Sequence, residues 1–425
     1  MTAEKKRWDV IVIGSGPAGL AAAIQAKKDW AQDVLIVERN MELGGMLLQC
    51  VHQGFGRELL GEDLPGPTYA QRFIDEALAL GVETRLDTMV MEVTPLRQVY
   101  VTKRDGYQEL EARAVVLAMG CRERTRPQMR IPGTRPAGVC PAGLAQRFVN
   151  IEGWMPGERF VILGSGDLGM IMARRLAVEG AQVERVLEVM PYLTGLTRNY
   201  EQCLLDFDIP LQLEHTVSLI LGRDRVEAVE AVQVDQDGMP VPGSEEIIPC
   251  DALLLSVGLI PENELSRQTG VTIDPITGGP YVNEEMATNI PGIFAAGNVV
   301  HVYDLVDWVT EAGYVAGRGA ANFAIEQRRR GDREVPVAPG ENVRHVIPHR
   351  LRKDALLERD VQLQMRVTRP IEQGVSVELV DGPEVVARQR APYARPGEMV
   401  TLTVPQQAYD AVNRADRVSV RVVER

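Results

Sequence analysis

The sequence predicts an α/β protein built from two strand-turn-helix nucleotide-binding units and a small C-terminal all-β domain. Two observations lead to this fold class. A glycine motif placed between an apolar strand and a helix occurs twice, 150 residues apart, beginning at Gly14 and at Gly164. The last 85 residues change to short segments of alternating polar and apolar residues, which is the pattern of strands. The two units are therefore expected to be Rossmann-like dinucleotide-binding domains.

The first glycine motif follows the apolar strand that starts at Trp8 and has the spacing G-x-G-x-x-G. Gly14 allows the tight turn out of the strand, and Gly16 lets backbone N–H groups approach a pyrophosphate. Gly19 lets the following helix pack closely against the sheet, and that helix turns the positive end of its dipole toward the phosphates. The residues between the glycines that complete the predicted site are Ser15, Pro17 and Ala18.

An acidic residue stands where such a site needs one. The strand 33–37 ends in Glu38, about 20 residues beyond the glycines, where a carboxylate accepts hydrogen bonds from ribose hydroxyls. Arg39 follows it and is included in the predicted site. The alternative is an ordinary charge at a strand end. We prefer the ribose contact because the acid has the expected spacing from the glycines.

A glycine-flanked segment with few charges, residues 43–56, comes next and is expected to be a loop that packs against a flat group. Its candidate cofactor contacts are Gly44, Gly45, Met46 and Gln49. Its candidate catalytic residues are Cys50 and His52, the two side chains of this loop that can carry redox or proton chemistry.

The same order of elements recurs in a second unit. Each unit contains a β-meander followed by a buried strand, which closes at Ala118 to Gly120 in the first unit and at Gly258 in the second. The second glycine motif leads into a helix, and the next strand, 183–187, ends in an acid. The residues of this unit expected to bind a nucleotide are Gly164, Gly166, Asp167, Gly169, Glu188 and Gly258. Chance hardly supplies two motifs with matching surroundings.

Beyond the second unit a short buried strand, 292–298, is followed by a long helix from about Asp307 to Arg330. Residues 334–341 contain two prolines and a glycine and are interpreted as a linker. The strands expected in the final domain, a sandwich, are 361–367, 375–380, 384–388, 399–404 and 417–423. The expected domains are 5–125 together with 262–335, then 135–258, and finally 341–425.

The chain has 46 Lys and Arg against 59 Asp and Glu, a net charge of −13. This balance argues against non-specific binding to nucleic acid or to anionic membranes. No apolar run reaches the length of a membrane span, and no signal-peptide core follows the first residues, so a cytoplasmic protein is expected. The five cysteines lack the spacing of a zinc or iron–sulfur motif, and no metal site is expected.

Together these motifs resemble the flavoproteins with two dinucleotide-binding domains, the pyridine nucleotide-disulfide oxidoreductase superfamily. The resemblance covers about residues 8–330 and includes the motifs in the family's order. It implies FAD on the first unit, a nicotinamide nucleotide on the second, and a late strand that returns to complete the FAD domain. It also implies that Gly297, Asn298 and Trp308 belong to the FAD site. The family usually has Asp where Asn298 stands, and an amide can still hydrogen-bond.

The main departure from the family concerns its catalytic disulfide. The two cysteines of disulfide reductases would fall at Leu47 and His52, and the C-x-x-C of thioredoxin reductases would fall at Cys140 and Gly143. Neither dithiol can form, so electrons are expected to leave the flavin directly or through a single thiol. Cys50 is then either a redox cysteine that passes through sulfenic acid or a small apolar filler. His52 either donates to the flavin or a substrate, or is an exposed loop histidine.

Within the superfamily, the loop 44–56, the segment 300–309 and the β-tail look most similar to the flavoprotein partner of bacterial glycerol-3-phosphate or 2-hydroxyacid dehydrogenases. The A subunits of opine and sarcosine oxidases are more distantly similar. This resemblance implies an FAD-dependent NAD(P)H oxidoreductase that exchanges electrons with a second flavoprotein, and an oligomer is compatible with it. NAD(H) is expected to be preferred over NADP(H), because Glu188 would repel a 2′-phosphate. The alternatives are a stand-alone NADH oxidase or peroxidase that uses Cys50, and a flavin-binding assembly module without turnover.

Overall fold

A computed structural model describes residues 6–326 and 333–425. The chain divides into two compact units. The first unit joins Met1–Cys121 to Pro261–Arg425, and the second is the continuous stretch Arg122–Ile260.

The first unit contains a seven-stranded sheet whose central strands are parallel. Its strands are Arg7–Ile13, Val34–Val37, Glu83–Arg85, Met89–Val93, Gln98–Lys103, Gly106–Leu117 and Ile293–Ala295. Arg7–Ile13 lies between Val34–Val37 and Gly106–Leu117, parallel to both. The helices of this part are Pro17–Lys28, Gly66–Ala79, Glu264–Gln268 and Val306–Glu326, with 3₁₀ turns at Gly45–Gln49 and Gly297–Val299.

The late strand and the helix that follows it pack against the sheet and the first helix of this unit. Ile293 pairs with Val115 in a parallel ladder, so the late strand joins the sheet beside its long strand. The helix Val306–Glu326 then packs on the first helix at its glycines, because a Cβ at Gly313 or Gly317 would overlap backbone oxygens of that helix. The predicted end of this helix, Arg330, lies outside the described residues.

The second unit repeats the plan with a five-stranded parallel sheet and a separate three-stranded antiparallel sheet. The parallel strands, in spatial order, are Leu211–Leu213, Gln182–Glu188, Arg159–Leu163, Ala252–Leu255 and Val139–Pro141. The antiparallel strands are His215–Gly222, Val226–Gln233 and Glu246–Pro249, and two short strands, Cys121–Glu123 and Leu259–Pro261, pair with each other. The helices are Arg126–Met129, Ala142–Arg147, Asp167–Val178 and Thr197–Cys203, with a π-helical turn at Phe148–Glu152 and a 3₁₀ turn at Leu205–Phe207.

The C-terminal part is a small β domain with its own hydrophobic core, shared by a five-stranded and a three-stranded sheet. The larger sheet contains Arg350–Arg352, Glu334–Pro339, Val418–Glu424, Val375–Asp381 and Glu384–Ala391 in spatial order. The smaller sheet contains Val343–Ile347, Val361–Val367 and Val400–Val404. Short helices lie at Ala355–Glu358 and Tyr409–Arg414, and a 3₁₀ turn lies at Gln406–Ala408.

The interpretation of residues 334–341 as a linker is wrong, because Glu334–Pro339 is a strand of this domain. Its first half pairs with Arg350–Arg352 and its second half with Val418–Glu424. Each residue of Glu334–Pro339 therefore pairs with a neighbouring strand on one side only. Pro336 and Pro339 are both exposed. Proline lacks an N–H and is tolerated where one side of a strand is unpaired.

Within residues 6–326 and 333–425 there is no helix of the length and apolarity that crossing a bilayer requires.

Candidate functional site

The first glycine turn has the geometry of a phosphate cradle. Gly14 has a φ of +100°, and a Cβ there would lie 2.5 Å from the Ala118 carbonyl oxygen. A Cβ at Gly19 would overlap the Gly14 carbonyl oxygen, so these two glycines are required by backbone packing. A Cβ at Gly16 would meet nothing within 4 Å. That open space lies at the N-terminus of the helix Pro17–Lys28, where backbone N–H groups lack partners within the helix and a phosphate fits.

Glu38 is buried, 5% exposed, beside this turn. Its Oε2 accepts hydrogen bonds from the backbone N and the hydroxyl of Ser15 at 2.9 and 2.7 Å, and its Oε1 accepts one from the Asn40 N at 2.9 Å. A carboxylate offers about four acceptor sites, so this arrangement leaves room for a ribose hydroxyl. Arg39 is exposed next to it.

The glycine-flanked loop is held directly against the glycine turn. The Gly44 N donates to the Ser15 carbonyl oxygen at 3.0 Å, and a Cβ at Gly45 would lie 3.0 Å from the Gly16 Cα. Both loop glycines have positive φ, which favours glycine at these positions. The turn Gly45–Gln49 then exposes Met46, at 57%, and buries Gln49.

Cys50 and His52 follow this turn. The Cys50 thiol donates to the Met46 carbonyl oxygen over 3.3 Å, and the Cys50 carbonyl oxygen accepts from the Gly66 N at 2.8 Å. The His52 Nδ1 lies 2.9 Å from the Gln53 carbonyl oxygen, and its ring packs 5.0 Å from that of Phe55. All five cysteines fall in the described ranges, and none is joined to another in a disulfide.

Gly297 and Asn298 meet the first glycine helix and the end of the long strand. A Cβ at Gly297 would lie 2.7 Å from the Ala18 Cβ. The Asn298 amide oxygen accepts from the Tyr303 N at 3.1 Å, and its nitrogen lies 3.5 Å from the Cys121 sulfur. Since Ala118 to Gly120 immediately precede Cys121, the residues predicted to border FAD are brought together here.

The start of the helix Val306–Glu326 is tied to the loop that follows His52. Asp307 is buried, which raises the pKa of its carboxyl group, and backbone N–H groups of Glu58 and Leu59 act in the opposite direction. Asp307 therefore links the start of this helix to residues 58 and 59 of the loop. Trp308 is half-buried and packs against the core of the first unit.

The segment that begins at His301 is buried at its start and offers no exposed edge there. His301 is 1% exposed, and its ring lies 4.0 Å from that of Tyr303 and 5.5 Å from that of His345 in the β domain. Burial lowers the pKa of His301 well below its usual value, so the ring is neutral. The sequence did not indicate this cover because the β domain is distant in the chain.

The second unit repeats the first glycine turn. Gly164 has a φ of +103°, and a Cβ there would overlap the Ser256 carbonyl oxygen. A Cβ at Gly169 would lie 2.7 Å from the Gly164 carbonyl oxygen, whereas one at Gly166 would make an ordinary contact of 3.5 Å with the Ser256 hydroxyl. Gly258 has a φ of +101° at the end of the same strand region.

Glu188 repeats the geometry of Glu38 with one addition. Its Oε2 accepts from the N and the hydroxyl of Ser165 at 2.9 and 2.7 Å, and its Oε1 accepts from the Met190 N at 2.9 Å. Thr194 adds a hydroxyl at 2.8 Å from Oε2. Ser165 and Thr194 were not predicted, yet Thr194 follows Glu188 by the same six residues that separate Gly44 from Glu38.

Asp167 starts the second glycine helix and holds the chain that follows Thr194. Its Oδ1 accepts from the Leu196 N at 2.8 Å and from the Asn199 side-chain nitrogen at 2.7 Å. Its contact with a nucleotide stays a prediction. Asn199 is a buried neighbour that the sequence did not single out.

The Glu123 carboxylate packs against Gly143, which stands where thioredoxin reductases have the second cysteine of their dithiol. The Glu123 Oε1 accepts from the Gly143 N at 2.8 Å, and a Cβ at position 143 would lie 2.7 Å from the Glu123 Oε2. Burial raises the pKa of the Cys140 thiol to about 11, so this cysteine is not a thiolate at neutral pH. A cysteine at position 143 would require Glu123 to move.

The family model for the pyridine nucleotide-disulphide oxidoreductases matches residues 8–315. The chain belongs to this family. Its members depend on FAD and NAD(P)H, and the two glycine turns described above have the cradle that these cofactors require. The predicted superfamily, the fold and the class of FAD-dependent oxidoreductase are confirmed.

Three similar proteins illustrate the range of this family. The chain is 28% identical to the A subunit of opine oxidase from Agrobacterium tumefaciens over 75% of its own length, and it spans 65% of that relative. It is 28% identical to the CoA-dependent NAD(P)H sulfur oxidoreductase of Pyrococcus abyssi, over 76% of this chain and 72% of that protein. The crystal structure of thioredoxin reductase from T. acidophilum matches 76% of this chain and all of that chain with a TM-score of 0.62, at 22% identity.

Proposed function

We propose that the chain is a cytoplasmic electron-transfer flavoprotein that passes electrons between NAD(H) and a partner flavoprotein dehydrogenase of the glycerol-3-phosphate or 2-hydroxyacid type. The observation that carries this proposal is a pair of glycine turns with the same carboxylate geometry. At the position of the second thioredoxin reductase cysteine the chain has Gly143, which is packed against the Glu123 carboxylate. Two nucleotides can be held, but no dithiol relay is present at that position. Electrons must then reach an acceptor that docks from outside.

The resemblance to components of larger enzymes supports a partner. One similar protein is named as the A subunit of an opine oxidase. The loop 45–52 offers a route to a partner, since Met46 and Val51 are exposed there and lie next to the turn that would hold FAD. The segment 301–304 is covered by the β domain and does not offer such a route.

The residues of the first unit hold and orient the cofactor. Gly16 would receive the pyrophosphate at the helix start, in a turn that the close packing of Gly14 and Gly19 shapes. Glu38 would accept a ribose hydroxyl, and Asn298 would border the ribityl chain of FAD. When bound, FAD supplies a two-electron acceptor for hydride from the nicotinamide. The turn at Gly45 excludes side-chain atoms from the space beside Gly16, which keeps the phosphate end of the site open.

The second unit is proposed to prefer NAD(H). Glu188 is buried and its acceptor sites are taken by four donors, so it is proposed to act on the nucleotide through its negative charge, which disfavours a 2′-phosphate. Arg185, the nearest preceding cation on this strand, is committed to Glu246 through hydrogen bonds of 2.8 and 3.0 Å. It is therefore occupied rather than available to bind a phosphate.

A sulfur or peroxide reductase that uses Cys50 is the second candidate, because a similar protein is named as a sulfur oxidoreductase. The hydrogen bond of the Cys50 thiol to the Met46 carbonyl oxygen holds this side chain against its own loop. We therefore propose that Cys50 packs beside the flavin site and that hydride transfer from NADH does not use it. His52 remains the candidate for contact with the flavin or with the partner.

The test is to purify the chain alone and from its native host with an affinity tag. Alone, it should show NADH-dependent bleaching of the flavin but little turnover of glycerol 3-phosphate, 2-hydroxyacids or disulfides. From the host, a second flavoprotein should copurify, and the mixture should couple its substrate to NAD(H). Oxidation of such a substrate by the isolated chain at about 10 per second, an ordinary enzyme rate, would contradict the proposal. Absence of bleaching by NADH would instead indicate the assembly module without turnover.

A further inference from the structure

Arg366 of the β domain contacts the segment 297–306, which joins the late strand Ile293–Ala295 to the helix Val306–Glu326. Its Nη2 donates to the Val302 carbonyl oxygen at 3.3 Å and lies 3.6 Å from the Asp304 Oδ1. Its Nη1 donates to the Pro396 carbonyl oxygen at 3.2 Å, which anchors the guanidinium within the β domain. The side chain is 16% exposed.

Asp304 is held from a second direction by the same domain. The Met399 N donates to the Asp304 Oδ2 at 2.9 Å, and the Asp304 side chain is 4% exposed. A buried carboxylate is stable only when it is paired and hydrogen-bonded, and removal of one partner of such a pair is strongly destabilising. Both partners of Asp304 come from the β domain, so this domain fixes the position of the segment.

The contact continues from Asp304 to the residue expected to border FAD. The next residue toward the N-terminus, Tyr303, donates its backbone N–H to the Asn298 amide oxygen at 3.1 Å. The Tyr303 ring packs on His301, which faces His345. His345 and Arg366 are paired residues of neighbouring strands, so these two strands together contact the segment at His301, Val302 and Asp304.

We propose that Arg366 is a positioning residue for the flavin site, which acts through Val302 and Asp304 to hold the amide of Asn298 in place. The β domain then has a defined role, because it covers and orders the segment that borders the cofactor. This inference rests on FAD binding to the first unit and is independent of any partner dehydrogenase.

Two other arginines of the β domain provide controls. Arg352 attaches the β domain to a different stretch of the first unit, through hydrogen bonds of 2.6 Å to Glu284 and 3.0 Å to Glu285. Arg388 pairs with Glu378 inside the β domain at 2.8 Å, and its side chain is 54% exposed. Arg352 therefore tests attachment of the domain without contact to the segment, and Arg388 tests loss of a surface charge.

The experiment compares full-length Arg366→Met, Arg366→Lys, Asp304→Asn, Arg352→Met and Arg388→Met. The Kd for FAD is measured by titration of apoprotein, together with the visible spectrum, the flavin midpoint potential and the melting temperature. Arg366→Met and Asp304→Asn should weaken FAD binding at least tenfold and shift the spectrum and potential. Arg366→Lys should recover part of the affinity, and Arg388→Met should match the wild type.

A folded Arg366→Met protein with unchanged Kd, spectrum and potential would overturn the proposal. Equal changes in Arg352→Met and Arg366→Met would also overturn it, because general loosening of the β domain would then explain both. If Arg366→Met does not fold, Arg366→Lys and Asp304→Asn decide by the same measurements. These outcomes do not depend on electron transfer to a partner, so failure here is distinguishable from failure of the proposed function.

Discussion

Ser165 donates both its backbone N–H and its hydroxyl to one oxygen of Glu188, at 2.9 and 2.7 Å. Ser15 and Glu38 repeat this relationship in the first unit with the same two distances. In each unit the carboxylate proposed to recognise ribose is thus oriented by the residue between the first two glycines. The G-x-G-x-x-G motif leaves that position unspecified.

Ser165→Ala should weaken NADH binding about tenfold, about 1.4 kcal/mol, because the Glu188 carboxylate loses a donor in a buried site. The change should be in the KM for NADH, with flavin content unaffected. Ser15→Ala is the matched control and should lower FAD retention while the KM for NADH stays constant. Steady-state reduction of an artificial dye and flavin absorbance check both variants. If both substitutions weaken FAD and NADH binding equally, the two nucleotides do not bind at separate glycine turns.

Gly16→Val should give folded but colourless protein. The Gly16 backbone is extended, with φ −69°, and its Cβ would meet no protein atom within 4 Å, so the valine side chain is expected to enter the phosphate space. Gly166→Val should instead keep its flavin and lose reduction by NADH. Flavin absorbance and circular dichroism distinguish the two. A yellow Gly16→Val protein with full FAD content would refute the placement of FAD.

Glu188→Gln should reduce the discrimination between NADH and NADPH. The wild type should be reduced faster by NADH because the buried carboxylate repels a 2′-phosphate, and the amide removes that charge at constant size. The ratio of reduction rates should fall about tenfold, about 1.4 kcal/mol, in stopped-flow measurements. Glu38→Gln serves as the control and should leave the ratio unchanged. Faster reduction of the wild type by NADPH would show that the assignment is wrong.

Cys50→Ser should leave NADH reduction of a dye nearly intact, because hydride passes between nicotinamide and flavin without a thiol. The serine hydroxyl can still donate to the Met46 carbonyl oxygen, so the loop should keep its shape. A loss of more than about 100-fold, roughly 2.7 kcal/mol of barrier, would make Cys50 a participant. Sulfenate trapping with peroxide would then be the next measurement.

Acid should destabilise the first unit through its buried histidines. Burial lowers the pKa of His345 to about 4, against about 6.5 in an unfolded chain. The unfolded state therefore binds more protons between these values, and the stability present above about pH 6.5 is lost as the pH falls toward 4.

The corresponding measurement is urea unfolding at pH 7 and pH 5. His345→Gln should lose less stability than the wild type over this interval, by of order 1 kcal/mol. His215→Gln, in the second unit, is the control. Its first unit should lose as much unfolding free energy between pH 7 and pH 5 as that of the wild type. If the wild type and His345→Gln lose the same stability between pH 7 and pH 5, buried His345 is not the cause of the acid destabilisation.

The parts of the fold that follow local rules were predictable. The glycine turns at Gly14 and Gly164 could be recognised because backbone packing permits only glycine at those positions, and apolar runs marked the buried strands. The strand Glu334–Pro339 was missed because its prolines are typical of a linker. They are tolerated there because the pairing changes from one neighbour to the other halfway along the strand.

The residues of the site were predictable where local spacing in the sequence marks them. Glu38 and Glu188 could be found from their spacing after the glycines, and Thr194 was recoverable from the internal repeat. The carboxylate of Glu123 at Gly143 and the cover that Arg366 places over Asp304 depend on chain-distant contacts. No local pattern encodes them, because they arise only when separate elements pack together.

The close packing of Gly313 and Gly317 on the helix Pro17–Lys28 has a consequence for biosynthesis. The first domain lacks its last strand and helix until about residue 326 has left the ribosome, whereas Arg122–Ile260 is continuous and can collapse as soon as it emerges. The insert is therefore expected to fold before the domain that hosts it. During that interval residues 115–117 of the long strand lack their later neighbour, Ile293–Ala295, and form an uncovered strand edge.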